Sequence, residues 1–169
     1  MLFRSSQAAR IFAELEAWEE AAPLWEKSKE WEQAASCWEK AGESDRQNTC
    51  EAYTLEATSK WAEAAAKWEK LARLEDAKRC WMNIPEKKAE YYAEEFEEKK
   101  QWLKAAREYE KAKLPLKAAF CRGREWERKK QWPEAIEQYQ LAGATEEVKE
   151  CRLQWARELG ARGLRLQQG

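Results

Sequence analysis

The chain has 169 residues, of which 44% are apolar and 37% are charged, and its 31 Lys and Arg nearly cancel its 32 Asp and Glu. This length permits one domain with a substantial core, and the eleven tryptophans argue against a disordered chain. The small net charge argues against a protein that binds nucleic acid or an anionic membrane through a strong electrostatic field.

Helices are the only regular structure that the sequence predicts, because apolar residues recur at spacings of three, four and seven. In chain order the predicted helices are 6–15, 18–27, 31–41, 44–58, 61–71, a short helix around 77–81 that Pro85 ends, 86–99, 102–112, 115–126, 132–142 and 145–160. Gly42 and Gly143 are predicted C-terminal caps, Ser44 and Thr145 predicted N-caps, and Pro115 and Pro133 first-turn residues. Pro23 is expected to kink or shorten the second helix. We therefore expect a single helical domain over residues 1–160 and a frayed tail over 161–169.

The sequence has few residues or motifs that could support catalysis, disulfide formation or metal binding. The five cysteines are an odd count with no CxxC pair, and the chain has no histidine, so neither a disulfide framework nor a zinc site is indicated. Buried packing is the preferred interpretation of the cysteines, with redox or metal chemistry as the alternative. There is no glycine-rich phosphate loop and no GxSxG motif. The sequence therefore predicts no enzyme, cofactor or metal.

Localisation is predicted from what the sequence lacks. No apolar run approaches the roughly 20 residues that span a bilayer, and the first residues lack the apolar core of a signal peptide. A soluble, cytoplasmic protein without membrane insertion is expected.

Five tryptophans define a repeated frame. Each is followed by alanine after three residues, by an aromatic residue after seven and by cysteine after nineteen, and is preceded by a small residue at minus nine. The tryptophans are Trp18, Trp31, Trp61, Trp102 and Trp132; the aromatic residues are Trp25, Trp38, Trp68, Tyr109 and Tyr139; the cysteines are Cys37, Cys50, Cys80, Cys121 and Cys151. Such columns are typical of a helical repeat array, in which stacked repeats bury surface that no single repeat could hide. The frame tryptophans are expected to form a continuous spine.

The frame resembles the tetratricopeptide repeat. The family pattern of small and aromatic residues is matched by Ala93, Phe96, Trp102, Ala105, Tyr109 and Ala112, and again by Gly123, Trp126, Trp132, Ala135, Tyr139 and Ala142. The period is about 30 residues, whereas that of the family is 34. The resemblance implies an all-α fold, a right-handed α-solenoid of about eleven short antiparallel helices.

The resemblance also implies a non-catalytic scaffold or adaptor, part of a larger protein or complex, that binds a protein or peptide on the concave face of its first (A) helices. The residues that it places on this face are Arg10, Arg46, Tyr53, Lys87, Glu90, Glu94, Glu98, Phe120, Arg124 and Arg128. An ordinary solvated face is the alternative interpretation of the same residues. A self-assembling homo-oligomer is one alternative function. A nucleic-acid-associated accessory domain of a larger enzyme is another, motivated by the C-terminal arginines at 152, 157, 162 and 165.

Overall fold

The computed structural model of the protein describes residues 2–168, in which eleven helices and no strand are present. The helices are α1 (Leu2–Glu14), α2 (Trp18–Lys27), α3 (Trp31–Ala41), α4 (Ser44–Ala57), α5 (Trp61–Lys70), α6 (Leu74–Trp81), α7 (Pro85–Glu98), α8 (Trp102–Lys111), α9 (Pro115–Arg128), α10 (Trp132–Leu141) and α11 (Thr145–Gln167). The predicted all-α class is confirmed. The chain divides between Ile84 and Pro85 into two compact units. Unit 1 contains α1 to α6 and unit 2 contains α7 to α11, and within each unit every helix packs against the next.

The ends of the chain are more helical than predicted. Helix α1 begins at Leu2, and α11 continues to Gln167 through most of the predicted tail, while Met1 and Gly169 lie outside the described residues. Before this extension, Glu158 accepts a hydrogen bond of 2.9 Å from Trp132 Nε1 of α10, whereas the described residues from 161 onward are exposed. Exposed Pro23 lies inside α2 without shortening it.

Neither predicted N-cap is a cap. Ser44 and Thr145 are already the first helical residues, and the residues before them make no side-chain capping bond. In both cases the preceding turn ends at a glycine with positive φ, Gly42 or Gly143, and a single residue separates this glycine from the first residue of the new helix. The helix start is therefore set by the backbone and not by a side-chain cap.

Nine helices of the described chain end in the same left-handed turn. The residues with positive φ are Glu16, Lys29, Gly42, Ser59, Ala72, Lys100, Lys113, Lys130 and Gly143. After α2, for example, the N–H groups of Lys29 and Glu30 bond to carbonyls of the last helical turn at 2.9 Å each, which is a Schellman-type ending. Helix α6 lacks such a residue and leads through Asn83 and Ile84 to Pro85, where the two units divide.

These turns predict opposite effects for two substitutions. Ala72→Gly should raise the free energy of unfolding by up to about 1 kcal/mol, because the alanine has φ 56° and its Cβ is disfavoured there. Gly42→Ala, at φ 76°, should lower it by about 1 kcal/mol. Urea unfolding measures both changes. Ala62→Gly, at an exposed helical position of α5, is the matched control and should be destabilising; a loss of stability in Ala72→Gly would contradict the prediction.

The core is a series of small clusters, two in each unit, that share the columns of the frame. Alanines three residues after the frame tryptophans are fully buried. The rings seven residues after them, from Trp25 to Tyr139, are between 0% and 7% exposed.

The predicted spine of frame tryptophans is therefore wrong. Trp18, Trp31, Trp61 and Trp102 are only half-buried, although Trp132 is buried. Each frame tryptophan is the first residue of its helix, so its ring covers one end of the contact. The ring two turns later lies within the core cluster and is enclosed.

Candidate interaction surfaces

A contact among three consecutive helices recurs four times. In each copy the polar atom of a buried aromatic ring donates a hydrogen bond to a glutamate twelve residues earlier, and a cysteine stands twelve residues later. The four sets are Glu26, Trp38 and Cys50; Glu56, Trp68 and Cys80; Glu97, Tyr109 and Cys121; and Glu127, Tyr139 and Cys151. The hydrogen bonds are 2.5–2.6 Å long. In each set the glutamate lies in the last turn of one helix, the aromatic ring in the next helix and the cysteine in the helix after that.

The glutamates of these sets were missed by the sequence analysis. They stand five residues before Trp31, Trp61, Trp102 and Trp132, so the column was present in the frame. Ala13 occupies this position before Trp18. Glutamates are abundant on solvated helix faces, which hides a column whose role depends on a partner in the following helix.

The cysteines are free and buried, as the packing interpretation predicts. Burial is the main cause that raises the pKa of the Cys50 thiol to about 12, and its hydrogen bond of 3.3 Å to Glu26 adds to the effect. Burial and nearby carboxylates likewise raise the pKa of Cys121 to about 12 and that of Cys80 and Cys151 to about 11. Since the thiolate is the form that acts as a nucleophile or a metal ligand, and these thiols stay protonated at neutral pH, they are poorly reactive there.

The three predicted A-helix residues of unit 1 lie in different environments. Arg10 is exposed on α1. Arg46 lies over the Trp38 ring at 4.6 Å. Tyr53 stacks on Trp31 at 4.5 Å and meets Trp68 edge-on at 5.0 Å. Tyr53 is thus largely engaged in packing between helices.

In unit 2 the structure brings several predicted residues together. Lys117 on α9 pairs with Glu90 at 3.2 Å and with Glu94 at 3.8 Å, both on α7, and Lys87 pairs with Glu90 at 3.0 Å. Glu98, the last residue of α7, is exposed. Helices α7 and α9 therefore lie side by side, with α8 packed against both.

The same row continues from α9 to α11. Arg124 lies 5.0 Å from the Phe120 ring and pairs with Glu127 at 3.3 Å and with Glu147 on α11 at 3.8 Å. Phe120 itself is half-buried against Tyr139, at 5.5 Å. Arg128 is held by Glu125, with the closer contact at 2.7 Å. The alternate helices α7, α9 and α11 thus form one surface that carries Glu90, Glu94, Phe120 and Arg124.

Helix α9 approaches the Tyr139 ring closely at Gly123. A Cβ at this position would lie 2.6 Å from two ring atoms of Tyr139, a ring with no exposed surface. Gly123→Ala should therefore lower the free energy of unfolding by about 1–3 kcal/mol, because the enclosed ring must move. Gly160→Ala, where nothing lies within 4 Å, should instead raise it by up to about 1 kcal/mol through helix propensity. Thermal and urea unfolding measure both; equal effects of the two substitutions would contradict the close contact.

Unit 1 contains an open cleft that the sequence analysis did not predict. It lies between α3 and α5 above α4 and has a volume of about 470 Å³. Its floor includes Ala35, Thr54 and Leu55, and three exposed glutamates line it: Glu32, Glu39 and Glu63. A cleft built from three helices leaves no signal in any single helix.

Within the described residues there is neither a candidate metal-binding group nor a candidate membrane-spanning helix. Across residues 2–168, no three His, Cys, Asp or Glu side chains are grouped so that they could hold a metal ion. No helix in the same part of the chain combines the length and the hydropathy of a membrane span.

Comparison of the chain with protein-family models, with curated proteins and with solved structures gave no match.

Proposed function

We propose that each unit is a stretch of a tetratricopeptide-like α-solenoid and that the chain is a non-catalytic scaffold that binds a protein partner. The observation that carries this proposal is the surface of α7, α9 and α11, where predicted A-helix side chains from separate helices come together through Lys117 and Arg124. Below, this surface is called the A face.

The A face has features that suit a polar peptide. Glu94 and Lys117 are about half exposed, at 56% and 49%, and salt bridges this exposed are worth little to stability, about 0–1 kcal/mol. A partner can exchange such pairs for its own at small cost. Half-buried Phe120 adds an aromatic contact beside Arg124.

The buried cysteines support the non-catalytic part of the proposal. Nucleophilic catalysis by cysteine needs a thiolate, and the thiols here are buried and their pKa values are raised. The recurring contact of glutamate, aromatic ring and cysteine joins neighbouring helices. The polar groups that remain accessible are side chains suited to recognition.

Affinity capture with the purified chain tests the proposal when the native protein is compared with two charge-reversal variants. Glu94→Lys with Glu98→Lys alters the A face at exposed positions. Glu134→Lys with Glu137→Lys makes the same change of charge at exposed positions of α10. We expect a defined set of proteins to be retained by the native chain and by the α10 variant and to be lost from the A-face variant. Capture of nothing, or of the same set by all three proteins, would contradict the proposal.

A further inference from the structure

The cleft of unit 1 carries unpaired negative charge around an apolar floor. Glu51 at one side is neutralised by an ion pair with Lys67. By contrast, Glu32, Glu39 and Glu63 are exposed and form no ion pair with any residue in the range 2–168. A ligand that fits this cleft would combine basic groups for the glutamates with an apolar side chain for Ala35 and Leu55.

The last part of α11 has the complementary chemistry. Arg152, Trp155, Leu159 and Arg162 follow one another at spacings of three, four and three residues, so they share one helix face. Trp155 is 37% exposed and Leu159 is 53% exposed. Neither of these arginines forms an ion pair within the described part of the chain, and both are exposed. The face thus presents two apolar side chains between two unpaired cations.

The charge of the whole chain is divided in the same way. Residues 1–84 contain 12 Lys and Arg against 16 Asp and Glu, a net charge of −4, and residues 85–169 contain 19 against 16, a net charge of +3. Residues 151–168 alone contain four arginines against one glutamate. The positive excess of the second half therefore equals that of the end of α11.

We propose that two copies of the chain associate head to tail, with the Arg152 to Arg162 face of α11 in one copy docked in the α3, α4 and α5 cleft of the other. Trp155 and Leu159 would lie on the apolar floor, and the arginines would pair with the glutamates at the rim. The helix residues used here lie beyond Glu147, the α11 residue that joins the A face through Arg124, and the cleft lies in unit 1, so this proposal is tested separately from the scaffold proposal.

Such an association has defined properties. The two surfaces differ, so the contact is heterologous, and it continues into rings or open chains of copies. Because exposed charges supply much of the attraction, salt should weaken it.

Light scattering and sedimentation of the full chain test this at low and high ionic strength. At low ionic strength the average mass should rise with protein concentration, and in high salt it should return to that of one chain. A mass of one chain at all concentrations in low salt would overturn the proposal.

Charge reversal identifies the surfaces. Both the cleft variant, Glu32→Lys with Glu39→Lys and Glu63→Lys, and the helix variant, Arg152→Glu with Arg162→Glu, should lose association by about tenfold or more. These positions are exposed, so circular dichroism should show unchanged helix content. Mixing the two variants should restore association, because each carries the surface that complements the other. Glu134→Lys with Glu137→Lys on α10 is the control and should associate like the native chain; persistence of association in either docking variant, or failure of the mixture, would refute the assigned surfaces.

Discussion

Replacing Trp68 by alanine is expected to lower the free energy of unfolding by about 3–5 kcal/mol. Trp68 has no exposed surface and lies in the cluster formed by α4, α5 and α6. Its ring meets Tyr53 edge-on and carries the Arg73 guanidinium at 4.5 Å. Alanine removes all of these contacts and leaves a cavity. Urea unfolding followed by circular dichroism measures the loss.

Two variants separate the causes. Trp61→Ala, seven residues earlier in the same helix, removes a half-buried ring and should cost clearly less. Trp68→Phe keeps most of the ring but removes the indole N–H that donates to Glu56 at 2.6 Å. That carboxylate retains its ion pair with Arg79 at 2.7 Å, so the loss from the missing hydrogen bond should be about 1–2 kcal/mol. A greater loss in Trp61→Ala than in Trp68→Ala would show that the frame tryptophan is the core residue after all.

Alkaline pH is expected to destabilise the protein strongly between about pH 9 and pH 11, because several buried thiols stay protonated in the folded state. In the unfolded chain a thiol has a pKa of about 8.5, whereas burial raises the pKa of Cys50 and Cys121 to about 12 and that of Cys80 and Cys151 to about 11. Above pH 8.5 the unfolded state therefore binds fewer protons than the folded state. The stability from the neutral thiols is fully present below that pH and is lost as the pH rises through the folded pKa values. Each thiol contributes about 1.4 kcal/mol per pH unit in this window.

The buried tyrosines act in the same direction at higher pH. Burial and the hydrogen bonds to Glu97 and Glu127 raise the pKa of Tyr109 and Tyr139 above the ordinary value, so further stability is lost above about pH 10. Urea unfolding at a series of pH values measures the total slope.

Cys121→Ala is the variant that isolates one thiol. At pH 7 it should cost about 1 kcal/mol for the lost packing. Between about pH 9 and pH 11 its stability should fall less steeply than that of the native chain, by about 1.4 kcal/mol per pH unit. An unchanged slope would show that Cys121 does not stay protonated in the folded state.

Local structure could be predicted from the sequence to a large extent. The bounds of α2 and α3 agree with the prediction, as does the left-handed ending at Gly42. Pro115 and Pro133 stand in first turns as expected. These features depend on residues within one or two helical turns of each other, so periodicity and the backbone preferences of glycine and proline determine them.

The candidate sites were predicted less completely. The resemblance to tetratricopeptide repeats placed Glu90, Glu94 and Arg124 on the A helices, but Tyr53 could not be recognised as a packing residue because its partners lie on α3 and α5. The cleft beside Glu32 and Glu63 was missed for the same reason.

The sequence by itself determined that the chain is helical, that it repeats and that its cysteines and the alanines three residues after the frame tryptophans face inward, because each of these follows from regular spacings along the chain. Only the tertiary structure decided that Trp68 and not Trp61 is enclosed, and that Glu56 reaches the buried indole. It also decided that Lys117 joins α7 to α9. These contacts depend on how neighbouring helices cross, and the crossing is set by the packing of all the side chains between them.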